Sequence, residues 1–546
     1  MTPLNHDNPG TYDPDASENS EDNSNSNNSQ TEVIEDEKSL LKLVMTAAAT
    51  SATLGYDVGI MAAAIQPLET QMNLNGVQKE VRKLLLLLRW SDFFKCFFTS
   101  LITHFLSLSF SLQKFAMGSL NFFAAFGALL GGHIADKSGR KATIKCCAWL
   151  FVVGTLLMAL AVDYAMMLLG RIVTGIGVGV AFVVAPVFIT EVAPADKRGE
   201  LNSVFDVAIN GGILAGYISG FVIQLISPDN WRLMLGCGLI LPVLVLMLLA
   251  SLPESPRWLM LVHQKPAALH VLQQLGNTPA QAQQMIREME QELQLEKQMP
   301  TVLWGPGQKL AVGLGFWQQI TGTEAVLYYS ADFLSRAGMT SPKLRLLGNC
   351  FVGICKLVPE YLAMHHIDSV GRRPLLMGSA ITLVISISSL SFAFYMEAPA
   401  VVVVVLLCCI MASFSIGLGP FTFLCASENL GVSERATGMT YCAAANRCTS
   451  GMVALSAVSL YELLGDAKLF GLYALFGIGS LWFYWTVPET SGQSLEELSQ
   501  ARHALSRSST MPTTYDRSDT MDRESRVPYT DREEIRGIDI GEHEIS

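Results

Sequence analysis

Twelve apolar stretches, most of them a little over 20 residues long, constrain the fold of this sequence more than any other feature. A hydrocarbon layer about 30 Å thick is crossed by about 20 helical residues, and a helix satisfies its own backbone groups there. The stretches form two groups of six: 40–64, 115–135, 142–162, 166–190, 202–225 and 232–252, then 308–337, 344–367, 374–396, 400–427, 436–463 and 467–487. We therefore predict an all-α membrane protein with twelve transmembrane helices in two six-helix pseudo-repeats.

Polar segments separate and flank these two groups. Residues 39–252 are predicted to form the first bundle, 253–307 a cytoplasmic helical linker domain, and 308–488 the second bundle. The tails, 1–38 and 489–546, carry too few apolar residues to bury a core and are predicted to be disordered, the second one largely so.

Charge is scarce and unevenly placed. Only 16% of the 546 residues are charged, against about 25% in soluble proteins. Ten acidic residues and no basic ones within 1–37 account for most of the net charge of −11, and the nearly neutral remainder argues against nucleic-acid binding. Phosphate-loop, zinc-ligand and Ser-His-Asp patterns are missing from the sequence. We predict no enzymatic activity, no catalytic residues, no cofactor and no metal.

Basic residues predict the orientation. They follow the even-numbered spans: Lys137, Arg140, Lys141, Lys197, Arg198, Arg257, Lys265, Arg372, Arg373 and Arg435. With twelve spans all of them fall on one side, which the positive-inside rule assigns to the cytoplasm, together with both termini. We expect a monomer in the plasma membrane, with the vacuolar and plastid membranes as alternatives.

Residues 81–113 are an anomalous insert within the first half. They are apolar enough to suggest another span, but an extra crossing would move all later basic clusters to the other side. Either the segment lies in the interface or loops back, or it is a translated, retained intron, because its opening Val-Arg-Lys can be encoded by GTAAGAAAG. A transcript containing the block would refute the second explanation.

The two halves repeat a set of charged residues. Asp-x-x-Gly-Arg follows the second and eighth spans at an offset of 232 residues, and a Glu seven residues before an Arg follows the fourth and tenth at an offset of 237. Parallel six-helix repeats are typical of transporters whose two halves rock about a midplane site. We predict cytoplasmic gate or anchor roles for Asp136, Arg140, Glu191 and Arg198, and for Asp368, Arg372, Glu428 and Arg435.

Seven motifs resemble the sugar porter branch of the major facilitator superfamily. They are GYDVGI (55–60), GGHIADKSGRK (131–141), GRIVTGIGVG (170–179), PESPRWL (253–259), QQITG (318–322), DSVGRRPLL (368–376) and PETSGQSLEEL (488–498). Finer features are similar to polyol/monosaccharide proton symporters: EVAPADKRG (191–199), INGGILAGYIS (209–219), VGICK (352–356) and NRCTSG (446–451). The resemblance implies twelve helices, alternating access, and hexose or polyol substrates moved with protons.

Two charged residues inside predicted spans point to proton coupling. A charge at the bilayer centre costs at least about 2.5–3.5 kcal/mol on insertion scales, so Asp57 and Arg171 need a reason to be there. The resemblance pairs them. Because Arg stays protonated, it would hold Asp57 ionised until a proton arrives and releases the pair. Alternatively, Arg171 anchors the interface and Asp57 faces water.

The resemblance also implies a substrate site. It carries sugar contacts onto Gln318 and Gln319, and Asn446 matches the residue of hexose porters. Five further positions differ from those porters: Asp206, Glu324, Lys356, Phe423 and Arg447. Carboxylates bind vicinal diols more strongly than amides do, which favours polyols. An internal ion network without substrate contact remains the alternative for Asp206, Glu324 and Lys356. For the whole chain, an uncoupled facilitator or a non-transporting sugar sensor are the alternatives.

Overall fold

Helices form all the regular structure in the computed structural model, which describes residues 15–72, 112–193, 198–250, 252–298, 304–364, 371–430 and 432–489. The first six predicted spans correspond to α1 (Asp15–Met72), α2 (Leu112–Ser138), α3 (Arg140–Ala159), α4 (Tyr164–Val192), α5 (Arg198–Ile226), and α6 (Trp231–Gly236), which a 3₁₀ turn joins to α7 (Ile240–Leu249). The linker contains α8 (Pro256–Leu261), α9 (Lys265–Gln274) and α10 (Pro279–Gln298). The second half contains α11 (Pro306–Ile320), α12 (Thr323–Arg336), α13 (Pro342–Met364), α14 (Arg372–Tyr395), α15 (Ala400–Ile416), α16 (Leu418–Glu428), α17 (Val432–Leu464) and α18 (Asp466–Thr486).

The two bundles meet along two helix pairs. α2 packs against α17, and α5 packs against α13. In the pseudo-repeat, α2 corresponds to α13 and α5 corresponds to α17, so the two contacts are related by the internal symmetry. This arrangement leaves room between the bundles at the middle of the molecule, where the site lies.

Within the first bundle, glycines bring α1 against α5. A Cβ atom on Gly55 would lie 1.9 Å from the carbonyl oxygen of Ile209, and one on Gly59 would lie 2.2 Å from that of Ile213. Only glycine permits so close an approach of two helix backbones. These two glycines flank Asp57, so the packing fixes the height of that carboxylate in the bundle.

Ten helical segments of the described residues are long and apolar enough to cross a membrane. The two remaining crossings of the twelve-helix fold are the broken pair α11–α12 and the polar helix α17. The pair is broken at Gly322 into helices of 15 and 14 residues, each too short to span alone. These two crossings contain Gln318, Gln319, Glu324, Asn446 and Arg447, and polar residues inside spans are costly and mark functional positions.

The first helix extends beyond the predicted span. It begins at Asp15 and is continuous with the span Leu40–Leu68, and the assignment of 1–38 as a separate cytoplasmic tail stays a prediction. Residues 81–113, apart from 112–113 at the start of α2, and the predicted C-terminal tail beyond Glu489 lie outside the described residues.

The linker has its own small apolar core. Leu259 of α8, Leu272 of α9 and Ile286 of α10 are buried together. The three short helices therefore pack on one another, as expected for a helical domain between the two bundles.

Candidate functional site

Asp57 and Arg171 form a buried ion pair inside the first bundle. The Nη1 atom of Arg171 on α4 donates to Oδ2 of Asp57 on α1 at 2.7 Å. Arg171 is fully buried and Asp57 is 8% exposed. The two residues predicted to act together are therefore in direct contact, and the arrangement in which one faces water and the other anchors the interface is wrong.

A cavity lies between the bundles next to this pair. It contains about 650 Å³ of space not filled by protein atoms. Seven of the eight predicted substrate-binding residues line it: Asp206, Gln318, Gln319, Glu324, Lys356, Phe423 and Arg447. Leu54 and Val58 on α1 line it as well. Asp57 lies on the same helix, directly before Val58, and is therefore close to the cavity wall.

Asn446, the eighth predicted residue, lies behind the cavity wall. Its Nδ2 donates to Oε1 of Gln318 at 2.5 Å, and its Oδ1 accepts from Nη2 of Arg447 at 2.5 Å and Nε at 2.9 Å. Nε2 of Gln319 also reaches this oxygen, at 3.4 Å. Asn446 thus positions three side chains that line the cavity.

The two glutamines are held differently. Nε2 of Gln318 donates to the carbonyl oxygens of Leu418 at 2.6 Å and Gly419 at 3.1 Å, where α15 gives way to α16. The buried Oε1 of Gln319 has no hydrogen-bond partner among the described residues. An unsatisfied buried acceptor costs free energy, so a hydroxyl donor in the cavity would be stabilised there.

Glu324 stands in the first turn of α12, directly after a break in the span. Gly322 at the break has φ 84°, and a helix N-terminus favours a negative charge. Oε1 of Glu324 accepts from Nδ2 of Asn121 on α2 at 3.0 Å. The carboxylate therefore links the second bundle to the first while facing the cavity.

The charges around the cavity are not paired with one another. Within the described part of the chain, Lys356 and Arg447 make no ion pair, and Asp206 makes neither an ion pair nor a hydrogen bond. Asp206 interacts at longer range with Lys356, Arg447 and Glu360. The charges of the cavity thus interact at distances longer than those of an ion pair.

Aromatic rings support both cations. The guanidinium of Arg447 lies 4.5 Å from the ring centre of Phe182, and the ammonium of Lys356 lies 4.7 Å from that of Phe414. Phe182 also contacts Phe423, with 5.1 Å between ring centres. Cation–π contacts of this kind stabilise a partly desolvated cation by about 0.5–2 kcal/mol.

The predicted gate and anchor residues form one cluster in each half. Arg140 pairs with Glu191 at 2.8 Å and with Asp136 at 3.2 Å. Arg372 pairs with Glu428 at 3.4 Å. Asp368 and the side chains of Arg198 and Arg435 lie outside the described residues. Each described ion pair stays within its own bundle.

Two further carboxylates repeat this symmetry and were not singled out as site residues. Glu254 Oε1 accepts from the backbone N–H groups of Arg140 and Lys141, both at 3.0 Å, and so caps the start of α3. Glu489 caps α14 in the same way, at 3.0 Å from the N–H of Arg372 and 2.9 Å from that of Arg373. The recurrence of Pro-Glu after the last span of each half was the available signal.

The predicted site residues did not include three polar residues of the cavity region: Asn121, Asn210 and Glu360. Asn121 bridges Glu324 and Arg447, and Asn210 on α5 donates to Glu360 on α13. All three are buried. An amide or acid within an apolar span is the signal that could have identified them.

Two related bundles around a polar cavity are the architecture of membrane transporters. Comparisons with known proteins agree. A family model described as "Sugar (and other) transporter" matches residues 43–501. The chain belongs to this family, the sugar porters of the major facilitator superfamily, which confirms the predicted fold and family.

Relatives and solved structures are similar along most of the chain. "Probable polyol transporter 4" of Arabidopsis thaliana is 32% identical, covering 84% of each chain. The "Galactose-proton symporter" of Escherichia coli is 30% identical, covering 71% of this chain and 85% of its own. The proton:xylose symporter XylE, bound to 6-bromo-6-deoxy-D-glucose, has a TM-score of 0.72 at 26% identity, covering 85% of this chain and 99% of its own.

Proposed function

We propose that this protein carries polyols and monosaccharides through the membrane by alternating access, together with protons. The observation that carries the proposal is the buried Asp57–Arg171 ion pair beside a cavity lined with unpaired charges and amides. The names of the relatives, which include polyol transporters and proton symporters, support the same substrates and the same coupling ion.

The coupling step follows from electrostatics. While Asp57 is ionised, Arg171 holds it and ties α4 to α1. A proton on Asp57 removes the negative charge and weakens this link, so the helices can rearrange around the loaded cavity. Each proton entering down 100 mV supplies about 2.3 kcal/mol, enough for roughly fiftyfold accumulation of a neutral substrate.

The substrate class follows from the donors and acceptors of the cavity. Asp206, Glu324 and the free oxygen of Gln319 accept hydrogen bonds, while Lys356 and Arg447 donate them. A polyol hydroxyl does both, and two adjacent hydroxyls can bind one carboxylate. Phe182 and Phe423 offer an apolar surface for the carbon chain.

For orientation, we propose that the loops carrying Arg140 and Arg372 are cytoplasmic, as are both termini, in a monomer of the plasma membrane. The positive-inside rule supports the assignment, since these clusters lie on one side of an even number of spans.

The test is Asp57→Asn in proteoliposomes that report internal pH. We expect this variant to exchange labelled sorbitol across the membrane but to lose the proton entry that accompanies sorbitol uptake. Proton entry that persists in the variant would contradict the coupling role. Wild-type uptake unaffected by collapse of the proton gradient would favour an uncoupled facilitator, and no flux at all would favour a sensor.

A further inference from the structure

Glu360 is a buried carboxylate that the proposed transport cycle does not yet use. It lies on α13 in the second bundle, is 1% exposed, and its Oε2 accepts a hydrogen bond from Nδ2 of Asn210 on α5 in the first bundle. Both residues line the cavity. The contact joins the two bundles along one of their two main interfaces.

This contact lies on the side of the cavity that faces the basic loops. Glu360 is four residues from the end of α13 at Met364, and the loop that follows leads to Arg372. Asn210 is on the half of α5 nearer its start at Arg198, on the same side. Opening the cavity toward the basic loops must therefore separate Asn210 from Glu360.

Other contacts close the opposite side of the cavity. The hydroxyl of Tyr217 on α5 donates to the carbonyl oxygen of Leu327 on α12 at 2.7 Å, and Nε2 of Gln66 on α1 donates to Asp332 at 3.2 Å. The bundles are thus tied on both sides. Among the described contacts between cavity-lining residues, the Asn210–Glu360 hydrogen bond is the one on the basic-loop side that joins the two bundles and involves an ionisable group.

The cavity holds one more carboxylate than it holds cations. Lys356, one turn away on α13, acts directly on Glu360, and Glu360 acts on Asp206 on α5. Glu324 on α12 and Arg447 on α17 act on Lys356. α15 contributes the hydroxyl of Ser415. Three carboxylates against two cations leave a net negative charge when all are ionised, which is costly in a closed cavity. One added proton restores neutrality.

We propose that Glu360 is a proton-dependent latch between the bundles, additional to the Asp57–Arg171 pair. Protonated, it leaves the cavity without net charge, keeps its contact with Asn210 and holds the basic-loop side closed. Ionised, it adds a charge that is costly in the closed cavity but is hydrated once that side opens, so loss of the proton to water on that side favours the open cavity. The latch rests on the proposed transport function for its purpose, but its opening can be measured separately.

The experiment follows opening on the basic-loop side in the full chain. Ile209→Cys, next to Asn210 in the cavity wall, serves as a reporter that a water-soluble maleimide alkylates from that side. All proteins carry Asp57→Asn, so that the first proton site is silent, and the pH is the same on both sides. Alkylation of the same proteins without the reporter gives the background from the natural cysteines.

We expect reporter alkylation to be about fivefold slower in mildly acidic than in mildly alkaline buffer, because the ionised carboxylate is desolvated in the closed cavity and hydrated in the open one. Glu360→Gln keeps the shape of the side chain without the charge and should give the slow rate at both pH values. Asn210→Ala weakens the contact without removing the ionisable group, so it should raise the rate at both pH values and keep the slope. Glu290→Gln, on the exposed surface of α10, is the matched control and should keep the slope.

A pH slope that survives in Glu360→Gln would overturn the latch, and so would a reporter rate that does not change with pH. If Glu360→Gln fails to fold, Glu360→Ala, which cannot ionise either, replaces it, and a retained slope in that variant overturns the latch equally. Counterflow of labelled sorbitol by the protein with Asp57 intact is measured in parallel. Absent counterflow with a pH-dependent reporter refutes the proposed function and leaves the latch standing.

Discussion

The two sets of membrane-embedded charges in this molecule are arranged in opposite ways. In the first bundle, Asp57 and Arg171 contact each other at 2.7 Å, inside one bundle and away from the cavity surface. Around the cavity, Asp206, Lys356 and Arg447 face open space, and none of the three makes an ion pair in the described part of the chain.

This difference separates two uses of a buried charge. A paired charge is stable in the resting protein and responds only when a proton removes one member. Unpaired charges at a cavity remain hydrated when it is empty and hydrogen-bond a ligand when it is full. The comparison predicts that changes at the pair alter stability and coupling, whereas changes at the cavity alter affinity.

The largest effect is expected from Arg171→Met. The change leaves the Asp57 carboxylate buried without its cation, and losing one partner of a buried ion pair costs about 3–5 kcal/mol. We expect a marked fall in thermal stability in detergent and loss of sorbitol uptake. Asp57→Asn with Arg171→Met together should recover part of the stability, because no uncompensated charge remains. A single variant as stable as the wild type would show that the pair does not hold α1 to α4.

A smaller effect, on affinity alone, is expected from Glu324→Gln. The amide keeps the size of the side chain and an acceptor for Asn121, but it loses the charge that strengthens hydrogen bonds to substrate hydroxyls. We expect binding of sorbitol to weaken about tenfold, which corresponds to about 1.4 kcal/mol, with thermal stability nearly unchanged.

Equilibrium binding of sorbitol to the purified protein measures this change. The same substitution at Glu290, which forms an exposed ion pair with Lys265, is the control and should leave affinity unaltered. Unchanged affinity in Glu324→Gln would instead favour a structural ion network around the cavity.

Much of this arrangement follows from the sequence. Hydropathy fixes the spans because the bilayer imposes a length, and the charged residues within spans are few enough to be found by inspection. Asp57 and Arg171 were predicted as partners by family resemblance, and the close packing of α1 at Gly55 is consistent with the glycines around the aspartate.

Other features depend on three-dimensional packing. Whether Lys356 pairs with Asp206 or faces a ligand depends on distances between helices that hydropathy does not encode. The role of Asn446 behind the wall, and the bridge from Asn121 to Glu324, depend on the rotation of α17 and α2 about their axes.

The smallest effect is expected at the two capping glutamates, Glu254 and Glu489. Each accepts hydrogen bonds from two backbone N–H groups in its own half, so they test whether structural charges can be changed without altering affinity. Glu254→Ala and Glu489→Ala each remove a carboxylate from two backbone N–H groups at a helix start. Loss of a helix cap costs about 0.5–2 kcal/mol, and the matching geometry, with Gly139 at φ 94° and Gly371 at φ 92°, predicts similar losses in both halves. Thermal unfolding in detergent measures each loss, and sorbitol affinity should stay constant. If only one of the two variants altered sorbitol affinity, the cap in that half would have to be coupled to the cavity. The distinction between structural charges, which affect stability, and cavity charges, which affect affinity, would then not hold in that half.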